Sequence, residues 1–277
     1  MPMPTLNNHP EKRTYVTLLS DASYLQGVLT LHYSLMQTYP AYPLLVLLNE
    51  NASSHTQQAL AQAKIPFKIL PKLNYSEHSN QTMQQRGWPS ALNNTADKLS
   101  VFTLTEYDKV VYLDADMLVL KNIDYLFDYP HGSAVIDVAN IIDITSNGNF
   151  TSEQYEYVSQ FNSGLFVFRP NLQDYQTCMD LLQTEVGFDQ EILRSLWADW
   201  IHTPQRQLPQ TCNIFASHLT AYIQKGICGF TDVEVMHYTY LPKPWQQTQY
   251  NIHATRDFVY YIYREYLQKA LQAYQLT

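Results

Sequence analysis

The sequence predicts an α/β fold in which a mixed, mostly parallel sheet is flanked by helices. Three observations carry this. Residues 44–48 and 110–113 are apolar without alternation, as strands covered on both faces are. Strand-like runs alternate with segments of helical period from residue 14 onward, the pattern of a doubly wound sheet. Two carboxylates, Asp114 and Asp116, interrupt an apolar run over 110–120, where a strand would end. Open α/β sheets bind ligands beyond the carboxyl ends of their strands.

Residues 1–13 are polar, carry three prolines and are expected to form a disordered tail, neither signal peptide nor membrane span. The first strand is expected over 14–19. Ser20 and Asp21 supply caps for a helix with Leu25, Val28, Leu29, His32, Leu35 and Met36 at helical spacing, stopped by Tyr39-Pro40. A second strand follows over 44–48. A polar helix starts at Ser53 or Ser54, and a third short strand covers 67–70. Residues 71–95, rich in Asn, Gln and Ser, read as a long loop. A short helix over 96–104 carries Lys98. Strands are expected over 133–137 and 165–168, the latter opened by Phe161-Asn162-Ser163-Gly164; 140–159 is polar and irregular. Pro170-Asn171 caps one helix and Phe188-Asp189-Gln190-Glu191 starts another. Val233, Val235 and His237 alternate on a strand, and 256–274 reads as a C-terminal helix. No linker divides the chain, so 14–277 is expected to be one domain. Two halves, about 14–120 and about 121–250, precede the C-terminal helix.

Residues two apart in an extended chain point the same way, so Asp114 and Asp116 are expected to face one point. Two close carboxylates repel, and a divalent cation relieves the conflict; hard oxygens suit Mg²⁺ or Mn²⁺. Alone, an Asp-x-Asp also fits a turn cap, a lone His237 fits a core histidine, Lys98 fits a solvated lysine and Asp189-Gln190 fits a helix start. Composition narrows the partners. A formal charge of −8 disfavours nucleic acid and anionic membranes, while 22 tyrosines supply flat surfaces of the kind sugar and base sites use. Cys178, Cys212 and Cys228 have no metal-ligand spacing and fit a reducing, cytoplasmic setting.

Several blocks stand in one order: Tyr15-Val16-Thr17-Leu18, Lys98-Leu99, Tyr112-Leu113-Asp114-Ala115-Asp116, Asn122 to Phe127, Phe161-Asn162-Ser163-Gly164, Asp189-Gln190, His237-Tyr238 and Lys243-Pro244-Trp245. In this order, over about 14–245, the chain resembles the retaining glycosyltransferases of the glycogenin and galactinol synthase type (family 8). The resemblance implies a GT-A fold with a nucleotide-binding half over about 14–120 and a sugar and acceptor half over about 121–250. It also implies transfer of a hexose from a UDP-sugar such as UDP-glucose or UDP-galactose to a hydroxyl of a sugar, polyol or protein. Mn²⁺ would be the cofactor, with Mg²⁺ as an alternative, held by Asp114, Asp116 and His237. Leu18, Ser20, Asp21 and Tyr24 would hold uracil and ribose, with Ala115 offering backbone to the ribose. Lys98 would reach the sugar or phosphate, and Lys243 would neutralise the diphosphate. Asn162, Ser163, Asp189 and Gln190 would line the sugar pocket, with Asp189, Gln190 and Lys98 nearest the chemistry. Relatives are often homodimers.

This chain departs from the pattern in places. Tyr240 stands where glycogenin has a glycine before the Lys-Pro-Trp, Arg86 matches the family's arginine only loosely, and Val186 and Gly187 replace an acidic residue. Glycogenin's self-modified tyrosine falls near Thr220, with Tyr222 two residues on. A self-glycosylating primer and a non-catalytic sugar-nucleotide binder therefore stay open, as does a phosphohydrolase of the haloacid dehalogenase type, which also carries Asp-x-Asp after a strand.

Overall fold

The structure is a computed structural model and describes residues 11–85, 87, 90–137, 160–247, 249 and 255–276. Among the described residues nine strands form two sheets: β1 Arg13–Leu19, β2 Leu44–Asn49, β3 Phe67–Leu70, β4 Lys109–Leu113, β5 Met117–Val119, β6 Ser133–Ile136, β7 Phe161–Phe168, β8 Ile214–Phe215 and β9 Val235–His237. The larger sheet has the order β3-β2-β1-β4-β7-β6 and the smaller β5-β9-β8. In the larger sheet β1, β2, β3 and β4 run parallel, and β7 lies antiparallel to both β4 and β6. The sheet is mixed and mostly parallel, as the unbroken apolar runs predict.

Both faces of the larger sheet are buried. Val16, Val110, Tyr112, Phe166 and Phe168 enter one core with Leu99 and Phe102; Tyr15, Val111, Leu113, Leu165 and Val167 enter another with Leu31 and Leu35. This parity is the period-2 pattern of a strand whose two faces are equally covered. Asn171 caps the helix Leu172–Thr184 and Ser53 caps Ser54–Gln62, each side chain accepting a backbone N–H of the first turn.

The expectations need correction at several points. The chain is not extended through Asp114-Ala115-Asp116: it turns there, between β4 of the large sheet and β5 of the small one. Asp21 caps a 3-10 turn, Ala22–Tyr24, and the first long helix starts only at Leu25. Residues 71–95 are not a plain loop, because Glu77–Gln85 is helical and buries Ser79 and Met83. Its polar surface hid the helical period. Lys98 sits in the 3-10 stretch Ser90–Thr103 rather than an α-helix. Asn162, Ser163 and Gly164 lie inside β7 instead of preceding it. The strand at β1 begins at Arg13, and residues 1–10 and 140–159 lie outside the described residues.

The first helix, Leu25–Gln37, joins the two sheets. Its Ser34 hydroxyl donates to Leu31 and accepts the Val119 backbone N–H, so the bare edge of β5 finds a partner on the helix. The C-terminal helix Thr255–Tyr274 packs on it, and His32 Nδ1 lies 2.7 Å from the Tyr274 hydroxyl. Burial lowers the His32 pKa from 6.5 to about 4. Below 6.5 the unfolded chain takes up a proton that the folded chain refuses until about pH 4. Stability should therefore fall as pH drops through that window, by up to about 3 kcal/mol. Chemical denaturation across the window checks this, and His32→Gln should flatten the slope.

Candidate active site

Strand direction gathers the candidate residues. The parallel strands β1 and β4 end at Leu19 and Leu113, so Ser20, Asp21 and Asp114 emerge at one edge of the large sheet. Because β7 runs the other way, its beginning reaches the same edge: Leu165 pairs with Leu113, and the Asp114 N–H donates to the Gly164 carbonyl at 2.8 Å. The small sheet supplies the rest. Antiparallel pairing of β5 with β9 sets His237 opposite Met117, and the Tyr238 N–H donates to the Asp116 carbonyl at 3.0 Å. A slip of one residue would turn His237 to the other face. Two glycines permit the close approach. A Cβ on Gly164 would lie 2.4 Å from His237 Cε1, and one on Gly27 would lie 2.7 Å from the Ala115 carbonyl oxygen.

The charged groups form an ordered chain. Lys243 Nζ is 2.6 Å from Asp116 Oδ2, and Asp116 Oδ1 is 3.2 Å from His237 Nε2. The same nitrogen is 3.8 Å from Asp114 Oδ2, while Asp114 Oδ1 meets Lys98 Nζ at 3.0 Å and the Tyr112 hydroxyl at 3.1 Å. Lys98 Nζ also contacts Asp189 Oδ2 at 2.6 Å, and that oxygen accepts from the Ser163 hydroxyl at 3.1 Å. Each aspartate of the motif thus commits one oxygen to a lysine and turns the other toward His237. The ligand atoms of Asp114, Asp116 and His237 lie within 4.8 Å of one another. This is a donor set of two hard oxygens and an imidazole, which fits a borderline divalent cation such as Mn²⁺.

Burial makes these charges expensive, and their partners decide which ionise readily. Lys98, Asp189, Asp116 and Lys243 are all buried. Burial alone would raise the Asp116 pKa, but Lys243 and His237 outweigh it and hold the carboxyl well below its usual range. For Asp114 burial prevails: Lys98 opposes it, Asp116 adds repulsion, and the net shift is upward. Burial works against the charge on Lys98, yet Asp114 and Asp189 overcome it and its pKa rises. Three carboxylates face two ammonium groups, which leaves an excess of negative charge.

These residues line a cleft of about 330 Å³ together with Leu18, Ser20, Asp21, Tyr24, Ala115, Asn162, Ser163 and Gln190. The sequence-predicted set is therefore brought together with two exceptions. Arg86 lies outside the described residues. Tyr240 is not part of the lining; its ring packs on His218 at 5.4 Å. Thr95, Tyr112, Phe188, Glu191 and Thr239 also line the cleft and were not foreseen. Tyr112 was legible, since it precedes the motif by two residues in an extended strand and so faces the same way as Asp114. Nor was Lys98 solvated or Asp189 merely a helix start. Asp189 begins the helix Asp189–Leu196 but spends its carboxylate on Lys98 and Ser163.

The fold is of the GT-A type. Residues 15–249 match the model of glycosyl transferase family 8, and the chain belongs to that family. It is 29% identical over 240 residues to glycogenin-1 of Homo sapiens, an alignment covering 85% of this chain and 63% of that protein. Over 277 residues it is 29% identical to galactinol synthase 6 of Arabidopsis thaliana, covering 91% and 79%. The galactosyltransferase LgtC, solved with donor and acceptor sugar analogues, superposes with a TM-score of 0.60 at 17% identity over 92% of this chain and 95% of that one. At that identity the likeness is one of fold. Family membership sets aside the haloacid dehalogenase reading.

Gly164→Ala should push the imidazole off Asp116, because its methyl cannot coexist with His237 Cε1. The expected cost is about 1–3 kcal/mol, as for other overpacked cores. Urea denaturation reads the cost, and the His237 ring resonances read the displacement.

Proposed function

We propose that the chain is a Mn²⁺-dependent retaining glycosyltransferase that moves a hexose from a UDP-sugar to a hydroxyl. The observation that carries this is the arrangement of Asp114, Asp116 and His237 between two buried lysines in one cleft. Asp114, Asp116 and His237 would hold the cation. When bound, it supplies charge that stabilises a departing diphosphate without a proton donor.

The chain's own groups do the rest. Lys243 is fixed by Asp116 and by the carbonyls of Tyr238 and Thr239 at 2.8 and 3.1 Å, so its ammonium is preorganised beside the diphosphate. Tyr24, half-buried and packed edge-on to Trp245, offers a face to the nucleoside, and Leu18, Ser20 and Asp21 border that end. Asp189 and Ser163 face the sugar end with Asn162 and Gln190. Asp189 and Gln190 are both engaged by neighbouring groups at the sugar end. The Asp189 carboxylate is paired with Lys98, and Gln190 Oε1 already accepts from Asn162 Nδ2 and the Ser163 N–H at 3.1 and 3.0 Å. That favours retention by front-face attack, with the leaving phosphate oxygen taking the acceptor's proton. Lys98 and Asp189 then stabilise charge at the sugar without forming a bond to it.

The acceptor is a separate molecule in this reading. Tyr222, near the position of glycogenin's modified residue, is wholly buried, while Thr220 is exposed. Cys178, Cys212 and Cys228 form no disulfide, which supports a reducing, cytoplasmic compartment. No helix among the described residues is long and apolar enough to cross a membrane.

Asp116→Asn should abolish Mn²⁺-dependent release of UDP from UDP-glucose or UDP-galactose, measured by a coupled assay; retained turnover would overturn the metal assignment. UDP with Mn²⁺ at one hundred times its Kd should add about 2.7 kcal/mol to the wild-type native state, seen as a raised Tm. The variant should lose that gain. Intact mass should stay unchanged after incubation with UDP-sugars, because the chain is not its own acceptor.

A further inference from the structure

We propose that Asn213 is a positioning residue that decides which nitrogen of His237 carries a proton, as one link in a directional chain of amides anchored on the backbone of β7. The chain runs from His237 through Asn213, Asn162 and Gln190 to Asp137.

Each amide's orientation follows from a group that has no choice. A backbone N–H can only donate. The Ser163 N–H lies 3.0 Å from one end of the Gln190 side chain, so that end is oxygen. The other end then faces Asp137 Oδ2 at 3.4 Å, a carboxylate that also accepts from Arg194 Nη2 at 2.7 Å. The Gly164 N–H lies 3.0 Å from one end of Asn162, so that end is oxygen too, and Asn162 Nδ2 donates to Gln190 Oε1. Asn213 meets the Asn162 oxygen at 2.9 Å and must do so with its Nδ2. Its own oxygen is left 2.9 Å from His237 Nδ1. An oxygen there requires a hydrogen on Nδ1. Nε2, the atom that faces Asp116 and Asp114, is therefore the one left either to hold a proton against Asp116 or, without it, to present a lone pair to a cation.

Two backbone N–H groups of β7 thus specify the tautomer of a histidine on β9. Turning either asparagine or the glutamine over would set donor against donor at one end and acceptor against acceptor at the other. Water cannot easily repair such a fault, since Asn213 is 2% exposed and His237 3%. Asn213 lies directly before β8 and carries no motif of its own; its role is visible only through its neighbours. The tautomer does not depend on the proposed function. The consequence for ion affinity does, because it rests on His237 as a ligand.

The test reads both. In ion-free protein at pH 8, long-range ¹H–¹⁵N spectra should show a hydrogen on His237 Nδ1 that is protected from solvent exchange. Asn213→Ala should remove the protection and mix the tautomers. It should also weaken Mn²⁺ binding about 10- to 100-fold, read from the free-ion EPR signal. Asn213→Asp keeps an acceptor for Nδ1, though it sets an oxygen against the Asn162 oxygen, and should retain the hydrogen on Nδ1. A wild-type Nδ1 without a hydrogen would overturn the proposal. So would an Asn213→Ala protein with an unmixed tautomer and Mn²⁺ affinity within twofold of wild type. Should Asn213→Ala fail to fold, the wild-type and Asn213→Asp spectra still decide. Should wild type bind no Mn²⁺, the proposed function falls while the spectra continue to test the chain of amides.

Discussion

The pairing of Met117 with His237 is the contact on which the rest depends. It is a short-range event in space and a long-range one in sequence, and it turns two unrelated stretches into one site. β5 follows the acidic motif at once, and β9 ends on the histidine, so the ladder that holds the strands also fixes the separation of imidazole and carboxylates. Nothing in the large sheet does this. β1 and β4 bring the motif to the sheet edge, but the histidine arrives only through the small sheet. Ser34 then ties the small sheet to the first helix by satisfying the Val119 N–H, which has no strand partner on that side.

The electrostatics follow from that geometry. Buried charges are tolerated only when paired, and here Lys243 pairs with Asp116 while Lys98 pairs with both Asp114 and Asp189. Lys243 serves one carboxylate and Lys98 serves two. That inequality explains why the two aspartates of one motif shift in opposite directions, although Asp114 keeps more exposure than Asp116. Desolvation acts on both. Asp116 has an ammonium to itself, and Asp114 shares one.

The large sheet was legible because its signals are local. Val110 to Leu113 and Leu44 to Leu48 are apolar runs that only a doubly covered strand explains, and Ser53 and Asn171 cap helices through their own side chains. The motif residues were legible as chemistry, but the reason for their convergence was not. Alternation along an extended strand put Asp114 and Asp116 on one face, whereas the structure turns the chain between them and still brings both to His237. The misses share a cause. Glu77–Gln85 shows little apolar period because little of it is buried, and Asn213 acts only on residues distant in sequence. Tyr240 replaces a family glycine yet packs on His218, outside the cleft, a direction no sequence pattern encodes.

A site with surplus negative charge and buried walls is arranged for what it lacks. If the lysines fully balanced the carboxylates, a cation would have to displace an ammonium, and the cost of freeing that ammonium would oppose binding. Here each lysine holds the far oxygen of its aspartate and leaves the near one turned toward His237. A cation can then join without breaking either ion pair. As a ligand, an unprotonated imidazole would add nothing to the repulsion between the carboxylates. Asp114, the carboxylate with the weaker claim on a counter-charge, gains most from its arrival. In the proposed reaction the lysines would remain in place to meet the diphosphate, so the pairs that neutralise buried charge without ligand would become part of the binding surface once the donor enters.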